Sequence, residues 1–147
     1  MSAVNRSKAI KDSTLLFRDL MLNTITDPLT GRTSPSRFVA TAWPERDVQY
    51  PVITVQQQGW STIPLGMSTS ETLATINAEV NVWSKSAQEC DSLAGSVVAI
   101  FEQNQSVTRA SGVFDLRFNN VTSIDEPGKA GIHRKVIELS YIYPSSV

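Results

Sequence analysis

The stretch "INAEVNVWSKSAQECDSLAGSVVAIF", Ile76 to Phe101, changes its hydrophobic period halfway along, and that change constrains the fold more than any other feature of the chain. Ile76, Ala78, Val80 and Val82 alternate with Asn77, Glu79, Asn81 and Trp83, the period of two that marks a half-buried strand. From Ser86 onward, Cys90, Leu93, Ala94, Val97, Val98 and Phe101 fall instead on one helical stripe. Ser86 and Glu89 have the spacing of a capping box, in which hydroxyl and carboxylate satisfy the orphan amides of a helix start. The stretch predicts a strand, a short turn, and a helix that folds back over the sheet.

The segments on either side fill in that sheet. From about Asn5 to Leu22, Ile10, Leu16, Phe17, Leu20 and Met21 recur at helical spacing, so an amphipathic helix occupies most of residues 1–24. Residues 25–36 form a loop punctuated by Pro28, Gly31 and Pro35, long enough to be a candidate contact arm. "RFVATAW" (Arg37 to Trp43) and "YPVITVQQQ" (Tyr50 to Gln58) read as strands, with Pro51 at a strand start or an edge. "GWSTIPLGMSTS", Gly59 to Ser70, reads as an apolar loop exposing Trp60, Ile63, Leu65 and Met67; it either tucks under its own sheet or meets another molecule. "GVFDLRFNNVTSI" (Gly112 to Ile124) and "IHRKVIELSYIY" (Ile132 to Tyr143) form a long closing hairpin around Pro127, Gly128 and Gly131, with ends that project as an arm. All 147 residues belong to one domain of ordinary size, with residues 37–147 supplying sheet, central helix and hairpin.

Few residue types are available for chemistry. A formal net charge of −1 excludes a protein whose whole surface binds nucleic acid by phosphate neutralisation. The charge is uneven: Arg6, Lys8, Lys11, Arg18, Arg32 and Arg37 outnumber Asp12, Asp19 and Asp27 up to residue 37, and acidic residues dominate from there to Glu102. Complementary faces for stacking subunits, or ordinary solvated surface, both fit that asymmetry. The single cysteine, Cys90, excludes an intrachain disulfide, and with the single histidine, His133, it excludes a Cys/His zinc site. Cys90 on a buried stripe is expected to act as a small hydrophobe rather than as half of a Cys–His dyad. "PGKAG" lacks phosphate-loop spacing, and Asp125 with Glu126 falls in a turn where both carboxylates stay solvated. Trp83 either caps the core at the strand end or makes a subunit contact. No cofactor, metal or catalytic residue is expected. With no signal-peptide core and no membrane-spanning run, the chain is expected to be made and used in the cytosol or carried out in a particle.

The order of helix, strands, "VWSKSAQECDSLAGSV" and closing hairpin resembles the tail terminator, or tail completion, proteins of long-tailed bacteriophages and related viruses. The resemblance also rests on "YPVITVQQQGW" and on a last strand with a basic start and an aromatic end, and it covers about Tyr50 to Tyr143. It implies an α+β domain with an antiparallel sheet of about four to five strands, flanked by the N-terminal and central helices. It further implies six copies in a ring at the head-proximal end of the tail tube, which stops tube polymerisation and meets the head connector. The tail tube protein and a head completion or connector protein are the implied partners. Trp60, Ile63, Leu65 and Met67, with Ile124, Lys129 and Ile132 of the hairpin, become candidate subunit or tube contacts, and Arg32 and Arg37 candidates for a DNA-bearing lumen. The loop at Thr26 to Ser36 and the long hairpin depart from shorter members. A neighbouring head-completion or tail-tube protein, a monomeric binding module and, last, an enzyme are the alternatives.

Overall fold

In the computed structural model, which describes residues 8–42, 48–64, 71–125 and 131–146, the chain opens with helix α1 (Ala9–Thr24). Ser13, Leu16, Phe17, Leu20 and Met21 are its buried positions, spaced three and four apart on one stripe. Ile10, expected on that stripe, is 46% exposed; Ser13 takes its place and bonds to the Tyr141 hydroxyl at 2.6 Å. The loop that follows is held to its own domain by Asp27 and Arg32, and Gly31 turns it with a φ of +79° that side chains disfavour. A short 3-10 turn, Pro35–Phe38, leads into strand β1 (Val39–Ala40).

Strand β2 (Val52–Pro64), strand β3 (Glu71–Ser84), helix α2 (Ala87–Gln103), a short helix α3 (Gln105–Ala110), strand β4 (Phe114–Asp125) and strand β5 (His133–Ser146) complete an α+β fold. Among the described residues the sheet has five strands, in the order β1-β2-β3-β5-β4. It is mixed, not purely antiparallel, because β1 runs parallel to β2 through the pairs Val39–Ile53 and Ala40–Thr54. That strand is shorter than the run Arg37 to Trp43 suggests, since Pro35 starts a 3-10 turn that takes up Arg37 and Phe38.

A second difference concerns Gly59 to Ser70. Gly59–Pro64 continues β2 and pairs with β3, so the expected loop is strand at least to Pro64. Residues 65–70, including Leu65 and Met67, lie outside the described residues, as does Lys129. The extra length is accommodated by a β-bulge between Gln57 and Gly59. Inserting Gln58 shifts the pleat by one, so Trp60 stands opposite Ile76 on the side of the sheet that carries the helices.

Both long helices share that side. Phe17 of α1 meets Phe101 of α2 edge-on at 5.1 Å and Tyr141 of β5 at 5.0 Å. Val55, Ile76, Val80, Ile137 and Leu139 beneath them are fully buried, and truncating Phe17 to alanine should cost about 3–5 kcal/mol. Helix α2 starts as expected at Ser86, whose hydroxyl accepts from the Glu89 amide at 3.4 Å. The Glu89 carboxylate, however, accepts from the Ser84 hydroxyl at 2.7 Å, and Ser84 in turn accepts from the Ser86 amide, so the box closes through a third residue. In β4, register shifts break the expected alternation of Phe114, Leu116 and Phe118. Phe114 pairs with Ile142 on the helix-free face, whereas Leu116 and Phe118 pack on the core.

Candidate assembly interface

Strands of 12 to 14 residues are long for a chain of this size. Fourteen residues span about 46 Å, against about 38 Å for the diameter of a compact sphere of equal length. The surplus leaves two edges open among the described residues. β1 covers only Ile53 and Thr54 of β2, and β4 pairs on one side alone, with β5. Unpaired amides and carbonyls along such edges are templates for a further strand.

The hairpin ends fall at opposite ends of the sheet. Ile63 pairs with Leu73, and Ile124 lies on the Arg134 row that pairs with Trp83. Ten residues of β3 separate Leu73 from Trp83, about 33 Å. The expected contact residues therefore form two separate groups. Ile124 is 38% exposed on the edge strand, and Ile132 is half-buried just before β5. Trp60 is 57% exposed and walls an apolar cleft of 710 Å³ with Ala9, Ile10, Leu15, Ile76 and Tyr143.

Arg32 does not offer its charge to a lumen. Its Nε donates to Asp27 at 2.6 Å, it donates also to the main-chain carbonyls of Gln49 and Pro51, and its side chain is 3% exposed. Its guanidinium lies 5.2 Å from the Phe38 ring centroid. Burial works to raise the Asp27 pKa, but the hydrogen bonds from Arg32 and the Leu29 amide, with the charge of Arg32, outweigh it and hold the carboxyl below its ordinary value. Arg37 is exposed on the 3-10 turn.

The helix-free face carries a polar network that the sequence did not single out. Arg134 donates through Nε to Asn81 at 2.7 Å and through Nη2 to Glu79 at 3.2 Å, and Glu79 also accepts from Gln58 and Asn81. Glu79 and Asn81 are buried here, and Trp83, beside them, donates its indole N–H to Thr54 at 3.3 Å. Trp83 itself is 1% exposed, so it is buried as expected and has no surface for a subunit contact, but it lies on the helix-free face rather than over the core beneath the helices.

The thiol of Cys90 donates to the carbonyls of Val82 and His133 at 3.3 and 3.8 Å. Burial first, then the charge of Asp91, pushes its pKa up to about 11, so no thiolate stands ready at neutral pH. Among the described residues, no group of three His, Cys, Asp or Glu could hold a metal ion, and no helix is long and apolar enough to cross a membrane. The chain matches no protein-family model, and a search of curated proteins finds no match.

Proposed function

We propose that this chain is a structural subunit that assembles head to tail through its two open sheet edges. The carrying observation is strand direction. β2 and β5 run one way and β3 and β4 the other, so β4 of one copy meets β2 of the next antiparallel and the alternation continues across the junction. A heterologous contact of this kind closes into a ring when the rotation permits.

Within that class, the resemblance in element order supports a tail terminator: six copies in a ring at the head-proximal end of a viral tail tube, assembled in the host cytoplasm and carried in the virion. Four long strands from each of six copies, at strand spacing and tilted by about 35°, make a circumference of about 140 Å, hence a diameter of about 45 Å, or about 35 Å once side chains project inward. That bore admits a DNA duplex. The helix-free face lines it with Asn77, Asn120, Thr122 and Glu138, all exposed, while the helices face outward. The ring ends tube growth and docks the connector by shape, with no catalytic step and no cofactor. Arg37 is the remaining candidate for contact with DNA. Its test is fluorescence anisotropy of duplex DNA with the assembled ring at low salt, where absence of binding removes that role.

Electron microscopy of the largest purified species tests the assignment. End-on views of closed six-membered rings are expected; open-ended tubes would make the chain a tube protein instead. A second reading, a monomeric binding module, draws on the cleft beside Trp60, and an apolar ligand retained through native mass spectrometry would favour it.

A further inference from the structure

The helix side of the sheet carries a second, complementary pair of surfaces. Between α2 and edge strand β4 runs a shallow groove of 370 Å³ lined by Ala94, Gly95, Val98 and Val121 and flanked by Asp91 and Glu102. Val121 is 43% exposed at its outer wall. Gly95 weakens the middle of α2, and a Cβ built there would meet nothing within 4 Å, so packing inside the chain does not explain the glycine. Towards the opposite edge of the sheet, on the same face, Trp60 and Ile10 project together, both exposed, with Lys8 and Lys11 beside them. Among the described residues, Lys8, Lys11 and Glu102 have no ion-pair partner, while Asp91 keeps its bond to Lys135 and remains 63% exposed.

We propose that the Ile10–Trp60 knob of one copy seats in the α2–β4 groove of a second copy, with Lys8 and Lys11 over Glu102 and Asp91. This rests on the head-to-tail reading and adds its outer layer. The strand register agrees with it. Trp60 lies on the row of Ile76 and Val121 on the row of Val80, four residues apart along β3 and on the same face. Strands tilted at about 35° in a closed sheet stagger each four-strand unit by about four residues, which sets Trp60 of one copy opposite Val121 of the next. The bulge at Gln58 is what puts Trp60 on the helix face, where this contact needs it.

Charge reversal tests the pairing. Lys11→Glu and Glu102→Lys should each raise the concentration for half-assembly at least about tenfold, and the double variant should recover most of the loss. Both sites are exposed, so folding is unaffected. As an independent readout, copies carrying Trp60→Cys are mixed with copies carrying Val121→Cys, all with Cys90→Ser, under mild oxidation. A disulfide between copies is expected. If the wild-type chain assembles but reversal is silent and no link forms, the seating is overturned while the ring reading stands. A chain that stays monomeric throughout overturns both.

Discussion

The guanidinium of Arg134 lies 4.9 Å from the centroid of the Trp83 ring while holding Glu79 and Asn81 on the same face of the sheet. Stacking on an indole and hydrogen bonding to a carboxylate are compatible because the guanidinium is planar. Glu79 and Arg134 have side chains only 9% and 12% exposed, so the pair is a buried one. Removing one partner strands the other charge in low dielectric. Arg134→Ala should cost about 3 kcal/mol in urea denaturation, and Arg134→Lys should recover only part of it, since an ammonium cannot stack and fork together. Equal stability of all three proteins would remove the network from the account.

How much of this was legible in the sequence depends on the kind of signal. The switch at Ser86 and the buried stripe through Cys90, Leu93, Ala94, Val97 and Phe101 were legible because helical and strand periods differ over a long window. The bulge at Gln58 was not, because one inserted residue leaves no mark in a run of glutamines yet sets Trp60 on the helix face; Phe114 changed faces through a separate register shift within β4, between Phe114 and Arg117. Gly59 and Pro64 read as loop punctuation and instead lie within β2, where the partner β3 overrides local preference. Arg32 in a Pro/Gly-rich segment looked solvated. Its one available signal was Asp27, five residues earlier, within reach once the loop turns at Gly31.

Alkaline pH should loosen the core. Tyr141 is buried, which raises its pKa from 10.0 to about 12 against the hydrogen bonds from Ser13 and Gln57, and Cys90 is raised from 9.0 to about 11. Both groups hold their protons more tightly folded than unfolded, so the stability they confer is complete below about pH 9 and is lost as pH rises through 11 to 12. Denaturation midpoints should therefore fall steeply above pH 9. Tyr141→Phe should flatten that slope and cost about 1–2 kcal/mol at neutral pH, because Ser13 and Gln57 lose a buried partner. An unchanged slope would contradict the burial of the phenol.

Trp60→Ser separates folding from assembly. A side chain 57% exposed contributes little to its own domain, so stability should change by no more than about 0.5 kcal/mol and the circular dichroism spectrum should be unchanged. The concentration for half-assembly should rise about tenfold or more, as expected for a tryptophan central to an interface. A variant that assembles like the wild type would take the β2 end out of the contact.

The central claim is that four long strands with two open edges form a closed ring of this chain. Light scattering after size exclusion, across a concentration series, tests it most directly. The account predicts a discrete species near six times the 16.1 kDa chain mass that does not grow further as concentration rises. A monomer at every concentration, or a mass that climbs without limit, would contradict it.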